Sequence, residues 1–285
     1  MTEQPKAELD KFRFEIIYLA PILASLLFGL ACSYLLIPQQ TETIPIAPIP
    51  ETTPGAPVGN AIYFVVLIAA AATLFYILLK RKNKNIIKGL IVVALTTAAL
   101  LLSFIYLLAL SVYIGIFDDW YVLIASSIII AVLFDLSIFR FGNLARNIAV
   151  ICVGGALGMF FGFFIPLWSA VLILAFLAVY DVVAVYKGPV GKIAASSGLD
   201  QLQGLSFSFK EIQMGLGDLV FYSMLTGVMV KAFMPNILPT ILAVVGILAG
   251  SMVTFSLLEK KGIFPGLPFP IMLGLVLGLA AGFLI

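Results

Sequence analysis

Histidine is absent from the 285 residues, and cysteine occurs only twice. Without histidine the chain cannot form a Ser–His dyad, a Cys–His pair or an H-E-x-x-H zinc site. The two cysteines, Cys32 and Cys152, lack C-x-x-C spacing and fall in apolar runs, so they predict neither a disulfide framework nor a metal site. We therefore expect no cofactor. If the chain hydrolyses peptides, its catalysts are acids, or else an uncommon Ser–Lys pair.

Charge is also scarce, because only 11% of the residues are charged while 62% are hydrophobic. The mean hydropathy is +1.18, whereas a soluble domain is about half apolar and about a quarter charged. The apolar runs approach the roughly 20 residues that a helix needs to cross a bilayer, and the alternation of a membrane barrel is missing. We predict an all-α, multi-pass integral membrane protein. Its net charge of +2 carries no sign of nucleic-acid binding.

Nine apolar runs predict nine transmembrane helices. They cover Phe14–Ile37, Ala61–Leu79, Ile86–Gly115, Trp120–Phe139, Asn147–Ile165, Leu167–Tyr186, Ile212–Phe233, Ile237–Leu258 and Phe264–Ile285. With nine helices, all 16 Lys and Arg residues except Lys231 fall on the side of the N-terminus. Because basic residues collect on the cytoplasmic side, we expect a cytoplasmic N-terminus and an outer C-terminus.

Composition divides this single membrane domain, residues 1–285, into helices and three connecting or terminal segments. Residues 1–13 read as a cytoplasmic tail, and residues 38–60 read as an outer loop rich in proline. Residues 188–210, between the sixth and seventh predicted helices, contain several glycines and serines, and we expect a mobile cytoplasmic loop there.

Two aspartates lie inside apolar runs, where a carboxylate is costly and usually serves a function. Asp181 lies six residues before Lys187, and Asp218 lies eight residues after Lys210. At 1.5 Å per residue these aspartates are about 9 and 12 Å deep, on neighbouring helices that run in opposite directions. Two such acids can share a proton and activate water. Paired acids also suit a proton-coupled transporter or an ion channel, which stays open as the alternative.

A third acid, Asp135, lies in the fourth predicted helix, five residues before Arg140. The separation along a helix is about 7.5 Å. We predict that the two side chains pair locally near the membrane interface, without a part in the chemistry.

Three segments resemble the motifs of the presenilin and signal peptide peptidase superfamily. The sequence LAVYDVVAV at 177–185 is similar to the YD segment of presenilins. The GLGD at 215–218, followed by Phe221-Tyr222-Ser223, resembles the GxGD segment of presenilins more than that of signal peptide peptidases. The PGLP at 265–268 is similar to the PAL motif. By this order of motifs the chain is identified as a presenilin-type intramembrane aspartyl protease, a minimal microbial homologue.

The resemblance implies an endopeptidase that cuts transmembrane helices with water and an aspartate pair, Asp181 and Asp218. It also implies residues that shape the active site and position the substrate: Tyr180, Gly215, Leu216, Gly217, Pro265, Gly266 and Leu267. Gly266 departs from the family, which has alanine in the middle of PAL, and glycine leaves that backbone looser. The expected orientation agrees with presenilins and is opposite to that of signal peptide peptidases.

The expected partners are transmembrane protein or peptide substrates and the lipid bilayer, in the plasma membrane of a microbe. No obligate protein partner is indicated, and a homo-oligomer stays open. A prepilin peptidase, another GxGD enzyme, is disfavoured because Leu219 and Val220 stand where that family usually has a basic residue. Since a substrate helix must unwind before it is cut, we expect the loop 188–210 and the segment 265–268 to hold it as an added strand.

Overall fold

The computed structural model describes residues 14–37, 46–81, 84–186, 204–209 and 212–284. The predicted tail, 1–13, and most of the predicted loop 188–210 lie outside these ranges. Within them the elements follow in this order: α1 (Ala20–Leu36), α2 (Ala56–Lys80), α3 (Lys84–Ser111), α4 (Trp120–Phe139), α5 (Asn143–Phe164), α6 (Leu167–Tyr186), β1 (Ser206–Phe209), β2 (Ile212–Gly215), α7 (Leu216–Phe233), α8 (Leu238–Lys261) and α9 (Pro268–Leu284).

The predicted all-α fold with nine helices is confirmed for the described part of the chain. Eight of the helices are long and apolar enough to cross a membrane, where α1 is counted together with the short 3-10 helix Ile16–Leu19 that precedes it. The ninth, α9, has 17 residues, which is about 25 Å of helix and slightly less than the thickness of a bilayer core. Large apolar side chains such as Leu67 on α2 and Ile129 on α4 are exposed, as expected of helices that face lipid.

The last helix begins at Pro268 and not at Phe264 as predicted. Pro265 and Pro268 account for the difference, because a proline disfavours helical backbone in the residue before it but fits the first position of a helix. The segment between α8 and α9 is therefore non-helical over residues 262–267. Its backbone polar groups are free to bind side chains from other helices.

Other predicted boundaries also differ from the structure: α1 begins at Ala20 instead of Phe14, α3 ends at Ser111 instead of Gly115, and α8 ends at Lys261 instead of Leu258. α2 begins at Ala56 instead of Ala61, so the end of the predicted loop 38–60 is helical, and α5 begins at Asn143 instead of Asn147. The seventh predicted helix is wrong at its start, because residues 212–215 form β2 and the helix begins only at Leu216.

The two strands form an antiparallel hairpin directly before α7. Ser206 pairs with Gly215 and Phe207 with Met214, and the Leu216 N–H continues the pairing by donating to the Leu205 carbonyl at 2.7 Å. The alternating sequence S-F-S-F is the period-2 pattern of a half-buried strand, and Phe207 is buried. The hairpin packs on α5 and places the beginning of α7.

Glycines bring the central helices into close contact, as their spacing predicts for helices in lipid. A Cβ on Gly158 or Gly162 of α5 would lie under 3 Å from the backbone of α7. A Cβ on Gly246 of α8 would meet the backbone of α9 near Gly274 at a similarly short distance. α7 thus lies tightly against α5, and α9 against α8.

Candidate active site

Asp181 lies near the end of α6 and contacts the segment that precedes α9. The Leu267 N–H donates a hydrogen bond to Asp181 Oδ2 at 3.0 Å, across 86 residues of sequence. The Gly266 N–H also faces this carboxylate. The predicted YD and PGLP segments therefore meet through backbone donors and an acidic acceptor.

Asp218 is the third residue of α7, and its place follows from the turn out of β2. Gly215 is the N-cap of the helix, and its N–H lies within hydrogen-bonding reach of the Asp218 carboxylate. An acid at the third position that reaches back to the N-cap nitrogen is half of a capping box, and a helix N-terminus favours negative charge. The hairpin and the helix start together hold this carboxylate.

The two carboxylates both lie close to the Gly266–Leu267 segment. A Cβ built on Gly266 would be 2.9 Å from Asp218 Oδ2, while the adjacent Leu267 nitrogen is 3.0 Å from Asp181 Oδ2. Since a Cβ and the next backbone nitrogen are about 3 to 4 Å apart, the carboxylates are separated by no more than about 10 Å. The aspartates also interact electrostatically. Because the charge on each acid disfavours ionisation of the other, such a pair favours one protonated and one ionised carboxyl group.

Gly266 lies so close to Asp218 that the methyl group of an alanine at this position would collide with the carboxylate. The built Cβ lies 2.9 Å from Asp218 Oδ2 and 3.2 Å from both Cγ and Oδ1. Carbon atoms in ordinary contact with neighbours are about 3.5 to 4 Å away. The glycine that replaces the alanine of the family therefore lets the PGLP segment approach Asp218 more closely than alanine would in the same geometry.

The other predicted residues surround the pair in different ways. Tyr180 is half-buried and interacts electrostatically with Asp181. Leu216, Pro265 and Leu267 are buried. Gly217 is exposed, and a Cβ there would be in ordinary contact with the Phe221 ring at 3.8 Å.

Tyr222 is a residue of the site to which the sequence analysis gave no role. It lies four residues after Asp218 on α7, is 1% exposed, and donates its hydroxyl proton to the Gly266 carbonyl oxygen at 2.9 Å. The spacing is the available signal, because residues four apart share a helix face. The spacing alone does not identify the hydrogen-bond partner of Tyr222, because the partner depends on where residues 262–267 lie.

Asp135 takes a different partner from the one predicted. The Thr96 hydroxyl of α3 donates to Asp135 Oδ2 at 2.7 Å, whereas Arg140 was expected to pair with this acid. The other oxygen, Oδ1, is buried without a hydrogen-bond partner. The prediction of an Asp135–Arg140 pair is wrong, because α3 supplies a nearer donor from the side.

In the part of the chain that the structure describes, the side chains that could bind a metal ion do not come together. Among the described residues, no group of three or more Cys, Asp or Glu side chains could hold a metal ion.

Two family models match the chain, in regions that overlap at residues 193–203. The model described as "Signal-peptide peptidase, presenilin aspartyl protease" matches residues 42–203, and the model described as "Presenilin" matches residues 193–285. The first match spans more than half of the sequence, and together they include both aspartates and the PGLP segment. Among curated proteins, no relative matches the chain.

Two solved structures share the fold. A presenilin family intramembrane aspartate protease, solved in space group C222, matches with a TM-score of 0.67 and 21% sequence identity, over 94% of this chain and 100% of that chain. A presenilin family intramembrane aspartate protease solved in space group P2 matches with a TM-score of 0.65 and 23% identity, with the same coverage of 94% and 100%. At these identities the likeness describes the arrangement of helices.

Proposed function

Because this chain belongs to the signal-peptide peptidase and presenilin aspartyl protease family and is an intramembrane aspartyl protease, we propose that Asp181 and Asp218 are its catalytic pair. One observation carries the proposal: the two carboxylates meet the same short segment from two different helices. Leu267 donates its N–H to Asp181, and the neighbouring Gly266 has its α-carbon against Asp218.

The chemistry follows from two acids that share one proton. The ionised aspartate removes a proton from water as the water attacks the peptide carbonyl, and the protonated aspartate donates to the carbonyl oxygen. The roles then reverse, and the nitrogen of the cut bond leaves as an amine. No acyl-enzyme forms, so the pair needs only water and an accessible peptide bond.

The substrate must present that bond in an unwound form, because the amides of a transmembrane helix are satisfied within the helix. β1 pairs with one edge of β2, and among the described residues the sheet has these two strands alone. The other edge of β2 can accept a further strand, and β2 runs directly into the turn of α7 that bears Asp218. We propose that the unwound substrate pairs along β2 and passes beside residues 265–267.

The basic residues support a cytoplasmic N-terminus, and hence a site that opens toward the cytoplasm from within the membrane. Lys231 is the exception on the outer side, and its ammonium group donates to the Phe163 carbonyl at the end of α5. We propose transmembrane proteins with an outer N-terminus as substrates, in the plasma membrane of a microbe.

Cleavage of a fluorescent transmembrane peptide by purified protein tests the catalytic pair. We expect Asp181→Asn and Asp218→Asn each to lower kcat by about a thousandfold or more, because neither can carry the shared proton cycle. Asp135→Asn is the matched control, since it also removes an intramembrane acid but lies elsewhere, and it should cut at close to the wild-type rate.

The result that contradicts the proposal is cleavage by either variant at the wild-type rate. Proton flux through liposomes that contain the wild-type protein, without any cut product, would instead support a transporter. Both measurements use the same purified preparation.

A further inference from the structure

The Gly266 carbonyl and the Leu267 N–H belong to a single peptide unit, and each end of that unit is bound by a different side chain. Tyr222 donates to the carbonyl oxygen at 2.9 Å, and Asp181 accepts from the N–H at 3.0 Å. In a trans peptide the C=O and N–H lie in one rigid plane and point in opposite directions. The hydroxyl and the carboxylate therefore fix one planar group from two sides.

This peptide unit lies outside the regular hydrogen bonds of α9. The first bond of the helix runs from the Ile271 N–H to the Leu267 carbonyl at 3.0 Å, which leaves the preceding peptide without a helical partner. Among the described contacts, its two polar groups are satisfied by side chains. The orientation of the Leu267 N–H thus depends on what holds the Gly266 oxygen.

We propose that Tyr222 is a positioning residue for the catalytic pair, and that its hydroxyl orients the Gly266–Leu267 peptide so that the Leu267 N–H meets Asp181. This inference rests on the proposed roles of Asp181 and Asp218. Because Tyr222 and Asp218 lie one turn apart on α7, the same helix carries one acid and fixes the backbone donor to the other acid. A change in the hydroxyl therefore alters the geometry of the pair without removing either carboxylate.

The surroundings of the hydroxyl support this assignment. Ser251 of α8 lies beside it and donates its own proton to the Ile247 carbonyl at 2.8 Å, while the phenolic proton goes to the Gly266 carbonyl. The ionisable groups that interact with Tyr222 are Asp218 and Asp181. A hydrogen bond to a carbonyl also strengthens the N–H of the same peptide as a donor.

Tyr222→Phe tests the proposal, because it removes the hydroxyl and keeps the ring that fills the core. The matched control is Tyr106→Phe, since Tyr106 also donates a partly buried hydroxyl to a backbone carbonyl, that of Ala156, at 2.8 Å on α5. Both variants lose one hydrogen bond of the same kind, and we expect similar small falls in melting temperature. We expect Tyr222→Phe alone to lower kcat, by about tenfold, with KM changed less than about twofold.

A second readout separates positioning from stability. The pH profile of kcat reports the proton shared by the acids, so we expect it to change in Tyr222→Phe and to match the wild type in Tyr106→Phe. Replacement of Tyr222 by p-aminophenylalanine restores a donor at the ring, and we expect it to recover most of the lost kcat. If Tyr222→Phe does not fold, the p-aminophenylalanine variant tests the role of Tyr222 instead. The proposal then expects this variant to fold and to have a kcat close to that of the wild type.

The proposal is overturned if Tyr222→Phe and Tyr106→Phe have the same kcat and the same pH profile, or if the folded p-aminophenylalanine variant stays about tenfold slow. Parallel assays of Asp181→Asn and Asp218→Asn distinguish a failure of the proposed catalytic pair from a failure of the proposed role of Tyr222. If those variants are inactive while Tyr222→Phe resembles its control, only the role of Tyr222 fails. If they cut normally, the catalytic pair itself is wrong.

Discussion

Replacement of Gly266 by alanine should slow catalysis by moving an acid. The added Cβ would lie 2.9 Å from Asp218 Oδ2 and 3.2 Å from its Cγ and Oδ1. Ordinary contact distances of about 3.5 Å require the carboxylate to shift by roughly half an ångström. A misplacement of about 1 Å in an active site can cost about a hundredfold in rate, so we expect kcat to fall by about tenfold.

The measurement is steady-state cleavage of a transmembrane peptide, together with a thermal melt of each variant. We expect KM and the melting temperature of Gly266→Ala to stay close to the wild type, because the carboxylate is the end of a side chain that can rotate. Gly89→Ala is the control: it adds the same methyl group on α3, where a Cβ has no neighbour within 4 Å. It should leave kcat unchanged and can raise stability by up to about 1 kcal/mol.

An equal or higher kcat for Gly266→Ala would refute the reasoning. It would mean that Asp218 moves aside at no cost, as in members of the family that carry alanine there. Such a result would leave the pair itself in place and would remove the explanation offered for the glycine.

Further predictions concern the shared proton, helix packing and the hairpin. The rate should have a bell-shaped pH dependence, lost at low pH when both acids are protonated and at high pH when both are ionised, and an activity that stays flat across pH would contradict the pair. Gly158→Leu should lower stability by about 1–3 kcal/mol or more because it forces α5 and α7 apart, and an unchanged melting temperature would contradict that packing. Phe207→Ala should loosen the hairpin and change the cut position or efficiency, whereas identical products at the same rate would argue against the hairpin as a substrate guide. Thr96→Val should leave Asp135 without its donor and lower stability by about 1–3 kcal/mol while kcat is retained, and a loss of kcat at full stability would give Asp135 a part in the chemistry.

The helices were predictable because long apolar runs have few other outcomes in a membrane. The bounds of α4 and α6 agree with the sequence analysis to the residue, whereas α9 began later because of Pro265 and Pro268. β2 was predicted as the start of a helix, although the alternation from Ser206 to Phe209 indicates a strand before it. The apolar run that begins at Leu216 made residues 212–215 resemble the first turn of the same helix.

The residues of the candidate site were proposed from the sequence, but their contacts were not. The apolar runs around Asp181 and Asp218 singled out these acids, and the resemblance added the PGLP segment. The bond from Leu267 to Asp181 depends instead on how α6, α7 and α9 pack. The partner of Tyr222 depends on the path of a non-helical segment, which no local pattern specifies. The prediction of the partner of Asp135 was wrong for a similar reason, because the donor, Thr96, lies on another helix.

Binding of a transition-state analogue tests the central claim most directly, because it does not require turnover. The probe is a transmembrane peptide in which a hydroxyethylene group replaces the bond to be cut, so that its hydroxyl takes the place of the attacking water. If Asp181 and Asp218 form the catalytic pair, the wild type and Asp135→Asn bind it equally, while Asp181→Asn and Asp218→Asn bind at least about a hundredfold more weakly. Equal binding by all four proteins would contradict the claim.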